Sequence, residues 1–327
     1  MLPTINRNDL ARGYPTAVLS ALFLSTTAPL IRYLTVNYHV PALVLAFWRD
    51  VFVTLTVLTA LWLLRPVLLK LERRHWAYLA LYGLMLAVFN SMWTLSVALN
   101  GAAVATVLAY CSAAFTALLA WQFLKETLGW VKLATVVLCL AGCALVAGAT
   151  DASVWRSNLA GIMTGVLAGL CYAIYSLMGR SASQRGLNPW TTLVYTFATA
   201  SVCLLAFNLL FRGVLPGAAQ RPADLLWLGT SWGAWGILVL LAAVPTVAGF
   251  GLYNISLSLL PSSVANLILT MEPAFTAVLA YFFLGEHLTG IQIVGSLVIL
   301  SGVVLLRVFE GRRPGKRTPE SSAVPAD

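Results

Sequence analysis

Three ionisable side chains stand well inside long apolar stretches of this chain: Arg49, Asp50 and Glu272. A charge at bilayer depth is costly, so such residues are paired, or line a polar cavity, or both. Arg49 and Asp50 are neighbours, so an ion pair or backbone carbonyls can satisfy the guanidinium and hold helices together. The other reading is a cavity arginine whose planar fork meets a substrate carboxylate. Glu272 precedes Pro273. Proline removes a backbone donor and kinks a helix, freeing carbonyls beside it. Glu272 then reads as a protonatable carboxyl for proton coupling or as an amine-binding group. The alternative is a hydrogen-bonded carboxyl that fixes its helix.

Aromatic and amide residues share these apolar stretches. Tyr78, Tyr82, Asn90 and Trp93 follow at spacings of four, eight and three, close to one helical face. Tyr110, Tyr172, Tyr175, Tyr253, Asn254 and Asn266 lie in later stretches. Apolar walls with a few polar tips suit a small amphipathic molecule, and tyrosine offers both. Ordinary packing is the competing account for any one of them, with its hydroxyl bonded across an interface. Glu126 and Glu286 precede two apolar runs. There a carboxylate satisfies free amides at a helix N-terminus, so both read as structural caps. The histidines His39, His75 and His287 lie near different turns, and the five cysteines fall inside apolar runs without metal-site spacing. No metal, cofactor or catalytic set is expected, which argues against an enzyme.

The elements that carry these residues are membrane helices. Of 327 residues, 60% are hydrophobic and 9% charged, with mean hydropathy +0.87. A soluble domain carries about 25% charged residues. The expected class is an all-α polytopic membrane protein whose partners are the lipid bilayer and a small-molecule substrate. The net charge of +9 is not a nucleic-acid signal, because the basic residues are scattered between apolar runs and gather at the C-terminus. No cleavable signal peptide is expected, since the first apolar run is too long and no small-residue motif follows it.

Ten stretches of near-crossing length are expected, at about 13–34, 42–64, 76–98, 103–124, 130–149, 158–180, 190–211, 235–258, 262–284 and 289–309. Tryptophans such as Trp76, Trp130, Trp190 and Trp232 mark their ends, as an aromatic belt does. Pro29 and Pro245 fall mid-stretch, as hinges or static kinks. With the N-terminus placed in the cytoplasm, 15 Lys and Arg fall inside and 4 outside, Arg49 being the remaining one. That bias puts both termini in the cytoplasm.

The stretches repeat. Residues 105–128 and 265–288 are identical at 11 of 24 positions at an offset of 160, both carrying Ala-Phe-Thr-Ala and ending Phe-Leu-x-Glu-x-Leu. At an offset of 148, Gly13, Thr16, Val18, Leu19, Leu22, Arg32 and Pro41 fall on Gly161, Thr164, Val166, Leu167, Leu170, Arg180 and Pro189. The unit is five helices used twice. Five is odd, so the second copy enters from the opposite side, and two inverted five-helix repeats result. The chain divides into a cytoplasmic N-terminus at 1–12, repeats at 13–149 and 158–309, and a basic, disordered cytoplasmic tail at 310–327. Gly142 and Gly302 hold matching positions in the last helix of each copy, which points to close packing there, within the chain or against a second copy in a homodimer.

Glu272-Pro273, Leu284-Gly285-Glu286-His287-Leu288-Thr289 and Phe47-Trp48-Arg49 after Pro41 resemble the drug/metabolite transporter superfamily, in its EamA-type ten-helix branch. Within it the chain looks most like bacterial aromatic amino acid exporters. The resemblance spans about 13–309 and implies a secondary transporter that exports aromatic or other neutral amino acids, or similar amphipathic metabolites, by alternating access around a central cavity. The copies differ where function is sought: Ser112-Ala113 stands opposite Glu272-Pro273, and Phe197 opposite Arg49. No Walker loop is present, so ATP is not the direct energy source. A phosphorylated-sugar or nucleotide-sugar transporter would need several cavity cations where only Arg49 is available. An intramembrane lipid-modifying enzyme would need clustered carboxylates or a His/Cys set.

Overall fold

Apolar runs close their backbone bonds internally in lipid, and helices do this within one segment. The computed structural model describes residues 7–124, 129–146, 152–259, 268–269 and 271–312, and among them there are helices and turns but no strand. Among the described residues, seven helical segments are long and apolar enough to cross a membrane: Arg12–Asn37, Ala42–Leu64, Arg73–Asn100, Ala102–Leu119, Asn158–Gly179, Pro189–Leu210 and Trp232–Tyr253. Three shorter apolar helices, Trp130–Val146, Glu272–Leu284 and Gly290–Leu306, stand at three further expected crossings.

The first half runs α1 (Arg7–Ser25), α2 (Thr27–Asn37), α3 (Ala42–Leu64), α4 (Trp76–Asn100), α5 (Ala102–Ala109), α6 (Ser112–Leu124) and α7 (Trp130–Val146). The second runs α8 (Ala152–Gln184, bent at Asn158), α9 (Pro189–Leu210), α10 (Trp232–Leu241), a π-helical turn Ala242–Ala248, α11 (Gly249–Leu259), α12 (Glu272–Leu284) and α13 (Gly290–Arg312). Asn188 caps α9 through a bond from the Trp190 amide, as the Asn-Pro pair there leads one to expect.

Several crossings are interrupted, and the interruptions have local causes. The break between α1 and α2 falls at Thr26, where the hydroxyls of Ser25 and Thr26 bond back to Leu22 and Phe23 and compete with the ladder. Pro29 lacks the amide that would bond Ser25 four residues back, and the Thr276 hydroxyl donates to that carbonyl instead at 3.2 Å. Pro245 sits in the π turn, and the Thr246 hydroxyl reaches the Leu241 carbonyl at 3.4 Å. The break between α5 and α6, at Tyr110 and Cys111, contains no proline. It matches the break at Met271 in the second half, 160 residues on, so proline is not what makes a break at this place. α8 offers Gly165 and Gly169 to it: a Cβ at Gly165 would meet Leu108 at 2.6 Å, and one at Gly169 would meet Cys111 Sγ at 2.8 Å.

The last helices of the halves, α7 and α13, pack along glycines. The Thr135 hydroxyl donates to the Gly302 carbonyl at 3.1 Å across this seam. Cys111, Cys139 and Cys143 lie beside it as free thiols in one buried apolar cluster with Ile299 and Val303.

Candidate substrate cavity

α3 carries Arg49 and Asp50 into the interior, where the two residues are 4% and 0% exposed. Nε and Nη2 of Arg49 lie 3.3 and 3.4 Å from Asp50 Oδ1, and Asn90 Nδ2 of α4 donates to Asp50 Oδ2 at 2.6 Å. Both carboxylate oxygens are thus engaged, and the pair joins α3 to α4. The two expectations for Arg49 meet in one residue: it is paired with Asp50, and it lines a cavity of about 250 Å³.

The cavity is walled by both halves. Asn90 and Trp93 of α4, with Tyr110 at the α5–α6 break, come from the first. Tyr172 and Tyr175 of α8, Tyr253 of α11 and Glu272 at the start of α12 come from the second. Tyr110 Oη lies 3.1 Å from Glu272 Oε2 and 3.0 Å from the Leu269 carbonyl oxygen, tying the two interrupted helices together.

The lining obeys the repeat. Leu24 and Tyr172, Thr27 and Tyr175, and Arg49 and Phe197 are partners at an offset of 148, and all six line the cavity. Leu86 and Thr246, Asn90 and Phe250, and Trp93 and Tyr253 are partners at 160, and so are Ala109 with Leu269 and Ser112 with Glu272; these line it too. The cavity therefore lies where the two halves face each other with equivalent surfaces. Its shape is shared between the halves, but its chemistry is not. The first half supplies the cation and the amide, the second the carboxylate and three of the four tyrosines.

Thr27, Thr246, Phe197 and Phe250 are lining residues that helix-by-helix reading missed. A signal was available for three of them, because Thr27, Phe197 and Phe250 are the repeat partners of Tyr175, Arg49 and Asn90, each marked for its chemistry. Tyr78 and Tyr82 are placed elsewhere. Tyr82 is buried with its ring 4.7 Å from that of Tyr175, and Tyr78 donates to the Met178 carbonyl under the Arg185 guanidinium, which stands 4.2 Å from its ring centre. The shared helical face expected for them is real, but it is longer than the cavity. Its far part is covered by α8. The side chain of Asn254 and the whole of Glu126 and Asn266 lie outside the described residues.

Glu286 caps a helix, though not the one it precedes. Gly285 adopts φ +65° at the end of α12, and the chain turns so that the Glu286 carboxylate accepts from the Ala102 amide at 2.9–3.0 Å and the Ala103 amide at 3.3 Å. It thus satisfies the N-terminus of α5, in the other half. Arg32 Nε stands 3.3 Å from it and Arg32 Nη1 donates to the Ala98 carbonyl. Gly101, at φ +84°, is required here, since a Cβ would fall 2.7 Å from Glu286 Oε1. The α13 N-terminus is served instead by Thr289 and Gln292, which bond each other's amides. Glu286→Gln keeps the shape but loses the charge facing amides and guanidinium. It is expected to cost about 1–2 kcal/mol, seen as a lower unfolding temperature in detergent, with no loss if the carboxylate is idle.

These features define a multi-pass helical membrane protein with a two-halved internal cavity. The model of the EamA-like transporter family matches residues 11–148 and 159–308, one match on each repeat. This chain belongs to that family. Over 68% of this chain and 64% of the relative, it is 27% identical to an uncharacterized transporter of Synechocystis, so the match spans slightly under two thirds of that protein. Over 72% of this chain and 73% of the relative, it is 30% identical to the threonine/homoserine exporter RhtA of Salmonella typhimurium. A solved crystal structure shares the fold at 18% identity with a TM-score of 0.55, over 90% of this chain and 99% of that one.

Proposed function

We propose that this chain is a secondary transporter that exports amino acids or similar small amphipathic metabolites through the cavity between its halves. The observation that carries this is the lining by repeat-equivalent residues. Two inverted copies that exchange conformations would open such a cavity to each side in turn. In this reading the chain crosses a bacterial inner membrane ten times with both termini in the cytoplasm, as the Lys and Arg bias favours. The repeats then occupy 13–149 and 158–309. Arg49 meets a substrate carboxylate and Glu272 its amine or a coupling proton. The aromatic walls hold the side chain.

The relatives with a stated substrate export threonine and homoserine, which supports an amino acid over a sugar phosphate and leaves the aromatic preference to the cavity wall alone. A phosphate would want several cations, and among the described lining residues Arg49 stands alone. A homodimer remains part of the proposal, with lipid-facing helices as its surface.

Purified protein in liposomes should take up labelled threonine and phenylalanine without ATP. Uptake of neither, with ready exchange of a sugar phosphate, would sink the reading. Glu272→Gln should flatten the response of that uptake to an imposed pH step, and an unchanged response would remove Glu272 from proton coupling.

A further inference from the structure

In α12 the backbone amide that would bond the Leu269 carbonyl belongs to Pro273, which has none. Tyr110 stands in for it from the opposite half, with Oη at 3.0 Å, while the same oxygen lies 3.1 Å from Glu272 Oε2. A phenol has one proton to donate and lone pairs to accept with. It cannot serve both the carbonyl and a carboxylate. It can serve the carbonyl fully when the carboxyl itself carries a proton. The acid then donates to Tyr110 Oη, and Tyr110 donates to the Leu269 carbonyl. When the proton leaves, the phenol's hydrogen is drawn to the charged oxygen, because charge-assisted bonds are about twice as strong as neutral ones. The Leu269 carbonyl then loses its donor.

We propose that Tyr110 is the positioning residue through which the proton state of Glu272 decides which group of the second half the first half holds. Its hydroxyl holds the Leu269 carbonyl while Glu272 is protonated and turns to the carboxylate when it is not. The proposal rests on the reading of Glu272 as a proton-bearing group. The placement suits such a role, since Tyr110 stands at the break of one interrupted helix and Leu269 and Glu272 flank the break of the other. The titratable groups sharing the cavity with Glu272 are Arg49, Tyr110, Tyr172, Tyr175 and Tyr253. Among the described side chains of α1 and α2, which pack against α12, the titratable ones are Arg12, Tyr14, Arg32 and Tyr33 and do not line it; α5 has none.

The test is hydrogen–deuterium exchange of the peptide spanning 268–276 in full-length protein between pH 5 and 9, corrected for intrinsic rates, for wild type, Tyr110→Phe and Glu272→Gln. Wild type should pass from slow to about tenfold faster exchange as pH rises, the loss of about one buried hydrogen bond. Tyr110→Phe should exchange fast at every pH. Glu272→Gln should exchange slowly at every pH, because the amide donates to Tyr110 as the acid does. A merely structural Tyr110 would shift the rate without removing its pH dependence. A flat wild-type profile, or a Tyr110→Phe profile that keeps the wild-type pH dependence, overturns the proposal. Transport by the same preparations is read separately: uptake of neither threonine nor phenylalanine, with ready exchange of a sugar phosphate, defeats the export reading while the exchange profiles still decide the role of Tyr110.

Discussion

Asp50→Ala is expected to leave almost no monodisperse protein after extraction in mild detergent. The substitution strands the Arg49 guanidinium, 4% exposed, without its counter-charge, and takes from Asn90 the acceptor it reaches at 2.6 Å. Removing one partner of a buried pair costs about 3–5 kcal/mol, against a total stability of about 5–15 kcal/mol for a folded protein. The paired change Arg49→Met with Asp50→Leu removes both charges and should restore folding, since apolar replacements of a buried pair are near neutral. Transport by the double variant then separates the two roles of Arg49. Folded protein that transports nothing assigns the guanidinium to the substrate. Wild-type transport would confine the pair to holding α3 against α4. Asp50→Ala with wild-type yield and melting would refute the account of the pair itself.

Gly142→Leu should be nearly as damaging, for a steric reason. A Cβ at Gly142 would stand 2.6 Å from Ile299 Cγ1, 2.7 Å from the Gly295 carbonyl oxygen and 2.9 Å from the Ile299 amide. Two of these three are backbone atoms, which cannot swing aside as a side-chain end does. The facing Gly295 is as tight, with a Cβ there 2.8 Å from the Gly142 carbonyl oxygen. Overpacking typically costs about 1–3 kcal/mol, and a leucine at this seam must push α7 and α13 apart along their length. A melting temperature unchanged from wild type would show that the helices part without cost. Gly142→Ala should fall between the two.

Much of this molecule could be read from its chain. Mean hydropathy and the sparse charges dictated membrane helices, because a chain 60% hydrophobic has no polar surface with which to dissolve. The offsets of 148 and 160 placed two copies, and family membership follows from the same repeated segments. The charges in mid-stretch marked Arg49, Asp50 and Glu272, since such residues are too costly in lipid to be incidental.

Other features depend on contacts between distant segments. The face shared by Tyr78, Tyr82, Asn90 and Trp93 follows from helical spacing, but where the cavity stops along that face depends on α8, which covers Tyr82 with Tyr175. The break at Tyr110 needs the glycines of α8 and has no proline to announce it. That Glu286 would be a cap was legible; that it serves α5 in the other half was not, because nothing local says which free helix end lies within its reach.

The sequence by itself determined the membrane class, the doubled unit and which polar residues had to be buried, since all three follow from the cost of polar groups in lipid and from identity at fixed offsets. Only the tertiary structure decided which buried groups meet. Asp50 with Asn90, Tyr110 with Glu272 and the carbonyl orphaned by Pro273, and Glu286 with α5 each join segments whose distance in space no periodicity encodes.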